Sequence, residues 1–303
     1  MGKSSYRPHN PHHDQPFTAG DLGPAYVTGT DETGATAIVA PNSGSNEVGD
    51  AVGMIIGRAS GGDDTMTGTS TSAIMVGDSL GDMFDLANGG GDTMTGGKNS
   101  AANAHTNTMY GDTAGTMHDK TQGGSDNLTG GAGATGGNFM VGDANTMTDF
   151  ALGGGDNLTG AAAKNGAIVT GTNTLIGDAV NGTGFARGGA DFLTSGTGKD
   201  DMWGDFQNIS GAAHGGNDRF TFGVANNHDI IEDFGQDKNG VHGKDVIDIT
   251  WGPTNFDQLT ISPFAAGVSV ISGVAVFNGP VSAAHDITVH SDHALTAHDF
   301  IFV

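Results

Sequence analysis

Two sets of aspartates, each recurring at a fixed place beside glycine, are the residues of this chain whose types and spacing could do chemistry. Asp64, Asp92, Asp126, Asp156, Asp191 and Asp218 stand in the pattern G-G-x-D-x-U, where U is apolar; Asp50, Asp78, Asp112, Asp143, Asp178 and Asp205 each follow a single glycine. The step from each Gly-Asp aspartate to the next G-G-x-D aspartate is 14, 14, 14, 13, 13 and 13 residues, and the return steps are 14, 20, 17, 22 and 14. The aspartates therefore mark a repeat whose insertions fall on one half of each unit. Carboxylates held beside glycine, which lets main-chain carbonyls come close, suit a hard cation such as calcium. That ion takes six to eight oxygens at about 2.3 to 2.6 Å.

One further aspartate, Asp200, completes the candidate ligand set. Gly196-Thr-Gly198-Lys-Asp200-Asp-Met202 fits the calcium-binding nonapeptide G-G-x-G-x-D-x-U-x at every position but the first, where Ser195 replaces glycine. Asn107, Asn138 and Asn173 take the place of Asp200 in earlier copies. They are read either as weak neutral ligands or as an asparagine ladder that needs no metal.

Composition narrows the class. Among 303 residues, 54 are glycine and only 7% are aromatic, which leaves little material for a thick globular core. The net charge of −23 opposes compaction unless cations bind, and it argues against nucleic acid and anionic membranes as partners. No cysteine is present, so disulfides and thiolate metal sites are excluded. The N-terminus lacks an apolar signal core, and no apolar run is long enough to span a membrane.

The elements that must position these aspartates follow from the apolar spacing. Met66, Met94, Leu128, Leu158, Leu193 and Phe220 come two residues after each G-G-x-D aspartate, and Met75, Met109, Met140, Leu175 and Met202 two before the Gly-Asp glycines from Gly77 onward. Alternation with polar neighbours predicts short strands, and stacking the units would superpose these side chains as two apolar ladders. The expected organisation is an extended, proline-bearing arm over 1–47, a calcium-binding solenoid over 48–222 and a β-rich cap over 223–303. His9, His12 and His13 in the arm read as a polar tail.

The array resembles the RTX, or haemolysin-type calcium-binding, family of secreted bacterial proteins, in a long-repeat form N-x-U-x-G-D-A followed by G-G-x-D-x-L-T-G. The C-terminal region is similar to that of serralysin-type proteins. The resemblance implies an all-β fold, a parallel β-roll or β-helix that folds on meeting extracellular calcium, and export by a type I secretion system.

Catalytic motifs dissolve into the repeat. Gly77-Asp78-Ser79-Leu80-Gly81 matches G-x-S-x-G, yet Ser79 only follows a recurrent Gly-Asp, and its equivalents are Thr113, Ala144, Ala179 and Phe206. No H-E-x-x-H occurs. The expectation is a non-enzymatic, extracellular calcium-binding structural protein that pairs with itself as a filament, matrix or surface-layer subunit. The alternatives are a monomeric adhesin acting on cell-surface or matrix polysaccharide through insertions at 97–106, 131–137 and 161–172, and an ice-binding protein using the row Thr67, Thr95, Thr129, Thr159, Thr194 and Thr221. The outward row before it changes from Thr65 and Thr93 to Asn127, Asn157, Phe192 and Arg219.

Overall fold

The computed structural model describes residues 47–51, 53–68, 74–98, 105–132, 136–161, 171–223, 228–235, 244–250, 252–272 and 286–303, with the backbone of the strands Val27–Thr28 and Ala37–Val39. The chain is a parallel β-solenoid and nearly all β. Among the described residues, the helical turns are two short 3-10 segments, Phe256–Gln258 and Ala297–Asp299.

Each full coil lays strands on three faces in turn. One coil places Thr106–Tyr110 on a first face, Thr113–Met117 on a second and Asn127–Thr129 on a third. The next repeats this with Gly137–Val141, Ala144–Met147 and Asn157–Thr159, and two more follow the same order. Equivalent residues stack in register: Leu128 pairs with Met94 and Leu158, Met140 with Met109 and Leu175. Earlier coils continue the second face by single bridges, Ala51 to Ser79 to Thr113 and Ile55 to Met83 to Met117. Four segments outside the described residues, 69–73, 99–104, 133–135 and 162–170, each lie between a third-face strand and the next first-face strand. That is the half of the unit where the spacing varies.

Parallel pairing continues on both sides of 48–222. Ala37–Val39 pairs in register with Thr65–Thr67, and Val27–Thr28 with Ile55–Ile56, because two short apolar runs within 1–47 match the open edges of the first coil. Beyond the array, Asp229–Phe234 and Ile287–Ser291 extend the first face, and Val246–Ile249 and Phe300–Phe302 the third. Antiparallel strands Val268–Ser272 and Thr260–Ile261 then close the first face. The alternation in Val274-Ala-Val-Phe277 predicts one more strand of the cap, and it lies outside the described residues.

The interior is two apolar clusters rather than one. The expected ladders, from Met66 to Phe220 and from Met75 to Met202, meet between the first and third faces and are fully buried. A second cluster, missed in the sequence, fills the space inside the second face: Ala51, Ile55, Met83, Met117, Met147, Ala151, Ala186 and Phe206 among others. Small alanines let this part of the coil turn back within a few residues. Along the chain the repeat aspartates fall between a residue of one cluster and a residue of the other, as Asp112 does between Met109 and Met117.

Candidate metal centre

The G-G-x-D aspartates form one continuous column. The amide of Asp64 donates to Asp92 Oδ1 at 2.6 Å, that of Asp92 to Asp126 Oδ1 at 2.6 Å, that of Asp126 to Asp156 Oδ1 at 2.7 Å, and that of Asp156 to Asp191 Oδ1 at 2.7 Å. Asp191 donates in turn to Asp218 Oδ1 at 2.9 Å. Each carboxylate thus uses one oxygen to hold the coil before it. The other, Oδ2, is buried without a hydrogen-bond partner in Asp92, Asp126, Asp156, Asp191 and Asp218. What lies beside it is another acceptor. A β-carbon built on Gly77 would sit 1.7 Å from Asp92 Oδ2 and 1.9 Å from the Gly111 carbonyl oxygen, and one built on Gly111 would sit 2.0 Å from Asp126 Oδ2 and 1.7 Å from the Gly142 carbonyl oxygen.

The Gly-Asp aspartates form a second column against the first. The second glycine of each Gly-Gly pair donates its amide to one of them: Gly62 to Asp50 at 2.6 Å, Gly90 to Asp78 at 3.0 Å, Gly124 to Asp112 at 3.0 Å, Gly154 to Asp143 at 2.9 Å and Gly189 to Asp178 at 2.7 Å. Gly216 donates likewise to Asp205. Neighbouring carboxyls in this column touch, Asp78 on Asp112, Asp112 on Asp143, and Asp178 on both Asp143 and Asp205. Two carboxylates share such a contact only through a proton or a cation.

Burial makes the charged form of these groups unfavourable. Loss of water first, and like charge beside it, holds Asp78, Asp126, Asp143, Asp191, Asp205 and Asp218 well above the ordinary carboxylate range. Burial raises Asp156 well above it too, against a backbone hydrogen bond. Burial pushes Asp92 up to about 8, Asp178 to about 7 and Asp112 to about 6, even where backbone amides oppose the rise. Acids poised in this way need either protons or metal.

Asp200 stands elsewhere. Asn107, Asn138 and Asn173 form a buried ladder on the first face: Asn107 Nδ2 donates to Asn138 Oδ1 at 2.7 Å, Asn138 Nδ2 to Asn173 Oδ1 at 2.6 Å, and Asn173 Nδ2 to Asp200 Oδ1 at 2.5 Å. Gly97, Gly131 and Gly196 donate amides into the same ladder, the last to Asp200 Oδ2 at 2.8 Å. Of the two readings of these asparagines, the structure carries the amide ladder, with Asp200 as its terminal acceptor.

Two carboxylates outside the repeat pattern end the columns. Asp233 takes the place of Gly204 in the following coil and accepts the amides of Gly204 and Asp205 at 2.9 and 3.1 Å. Asp245 accepts from Asp218 at 2.9 Å and from Gly235 at 2.7 Å. With both oxygens engaged, these two close the columns. The sign of Asp245 in the sequence is a partial motif, His242-Gly243-Lys244-Asp245-Val246-Ile247, in which histidine replaces the first glycine of the pair.

A third aspartate row was also missed. Gly57, Asp85, Asp119, Asp149, Gly184 and Gly211 adopt positive φ at the corner between the second and third faces, four residues before each Gly-Gly pair. Asp85, Asp119 and Asp149 each accept the amide of the equivalent residue one coil earlier, at 3.2, 3.1 and 3.3 Å. That constant offset was the available signal. The glycines of Gly-Asp and Gly-Gly, by contrast, do not turn the chain with positive φ; they are glycine because a carboxylate or carbonyl oxygen occupies the space of a β-carbon. Ser79 is buried, and its hydroxyl donates to the Gly53 carbonyl at 2.7 Å.

The donor set fits a hard divalent cation: carboxylate and carbonyl oxygens with no soft ligand among them. Among the described residues, no three His, Asp or Glu side chains converge into a cage by themselves. A cation between the columns would therefore draw on glycine carbonyls as well as the orphaned Oδ2 atoms. Comparison with protein-family models and with curated proteins found no match.

Proposed function

We propose that the chain is an RTX-type calcium-binding structural protein that acts outside the cell and assembles with itself. The observation that carries this reading is the set of buried Oδ2 atoms of Asp92, Asp126, Asp156, Asp191 and Asp218, each lacking a donor, the first four beside a glycine carbonyl of the next coil. Calcium bound there would neutralise the columns and bridge successive coils, so that binding and folding become one equilibrium. The absence of any catalytic constellation in the sequence, together with a repeat that runs through 48–222, favours a building block over an enzyme. Negative-stain electron microscopy tests the assembly: fibres or sheets in millimolar calcium that vanish with chelator support it, and dispersed rods in calcium count against it.

One observation favours a second reading, ice binding. Thr67, Thr95, Thr129, Thr159, Thr194 and Thr221 keep unbroken register along the third face. Thermal hysteresis of calcium-loaded protein supports that role, and none with folded protein excludes it. The adhesin reading rests on insertions that lie largely outside the described residues.

A further inference from the structure

The corner between the second and third faces carries two outward columns. One runs Arg58, Leu86, Lys120, Phe150, Phe185 and Ala212; the other, linked coil to coil by single bridges, runs Ser60, Asn88, Gln122, Leu152, Arg187 and His214. Four of the large apolar side chains that remain exposed lie on these columns: Leu86, Phe150, Leu152 and Phe185. Phe150 and Phe185, on adjacent coils, are 53% and 54% exposed, and their rings stack at 5.2 Å and 6°. Charge flanks the pair. Arg187 is exposed and makes no ion pair among the described residues, while the Asp149 side chain, whose Oδ2 lies 3.8 Å from His118 Nδ1, is 34% exposed.

We propose that this ridge docks a second copy of the chain, side by side and antiparallel. The inference rests on the self-assembly reading and names its lateral contact. A twofold axis perpendicular to the solenoid, passing between the coils of Phe150 and Phe185, sets Phe150 of each copy against Phe185 of the other and lays the coil that carries Asp149 against the coil that carries Arg187. A parallel pairing would instead lay the Arg187 coil on the Arg187 coil and the Asp149 coil on the Asp149 coil, bringing like charges to one level. The isologous antiparallel contact is therefore complementary in both apolar surface and charge. Equal coil spacing, about 4.8 Å in both copies, keeps the two ridges in step along their length. Lys120, the remaining cation near the pair, falls opposite Ala212 and His214 and meets no like carbon-chain cation.

Sedimentation velocity on the full chain in calcium, over a wide concentration range, tests the contact. The wild type is expected to dimerise, Phe150→Glu to weaken dimerisation at least about tenfold, and Phe150→Glu with Phe185→Lys to restore it through new ion pairs. Circular dichroism confirms that each variant folds; Phe150→Ser replaces the glutamate variant should that one not fold. Thr116→Glu, on the second face away from the ridge, should change nothing. A wild type that stays monomeric, a dimer insensitive to Phe150→Glu, or a double variant no better than the single overturns the proposal. Fibres that persist with Phe150→Glu would remove this contact and leave the structural reading standing, whereas no assembly of any kind would remove both.

Discussion

Asp126 and Gly111 show how one side chain and one missing side chain share a site. Asp126 holds the neighbouring coil through Oδ1 and leaves Oδ2 against Gly111 and the Gly142 carbonyl. Asp126→Asn keeps an oxygen for the Asp92 amide and removes the buried charge. Its melting temperature in chelator should rise, and the further rise on adding calcium should shrink; an unchanged calcium increment would mean that Asp126 binds no cation. Gly111→Ala would push a methyl into Asp126 Oδ2 and should lose about 3 kcal/mol or fail to fold. At Gly91 the nearest atoms to a new β-carbon are 3.4 Å away, so Gly91→Ala should stay within about 1 kcal/mol by denaturant melt. The aspartate columns were legible in the sequence because an acid beside glycine at constant spacing has no other economical explanation. Asp233 was not, since it stands in a coil where the glycine motif has given way to apolar strand, and Asp245 only in part, since Gly243 keeps one glycine of the pair.

At the scale of the element, the first-face asparagine ladder is a stabilising device that needs no metal. Asn138→Ala would take one of two acceptors from the Asn107 amide and remove these partners of the Asn173 carbonyl and the Gly131 amide in the interior. A loss of about 2 to 4 kcal/mol follows from unsatisfied buried groups, equal with and without calcium in denaturant titrations; a loss seen only in calcium would make Asn138 a ligand. The first-face and third-face strands could be read from alternating apolar residues, as Met109 and Leu128 illustrate. The second face could not. Its inward residues are largely alanine, as at Ala144, Ala151 and Ala186, and alanine carries too weak an apolar signal to announce a strand or a core.

For the whole molecule, the columns make stability depend on pH in opposite senses with and without cation. The aspartates have folded-state values above their unfolded ones, so in chelator their contribution is fully present below the unfolded range near pH 4. It is lost as pH rises through the folded values of about 6 for Asp112, 7 for Asp178 and 8 for Asp92. Metal-free protein should therefore melt higher at pH 5 than at pH 8. In calcium the order should reverse, because protons then compete with the metal for the same oxygens. Thermal melts at both pH values, with and without calcium, check the crossing; parallel behaviour in the two conditions would contradict it.

The most direct test of a cation-built solenoid is far-UV circular dichroism at neutral pH, in chelator and then during a calcium titration. The spectrum should begin with only part of its β signal, from a weakly stable metal-free fold, and convert cooperatively to full β structure as calcium is added. A full β spectrum in chelator, unchanged by calcium, would contradict the account.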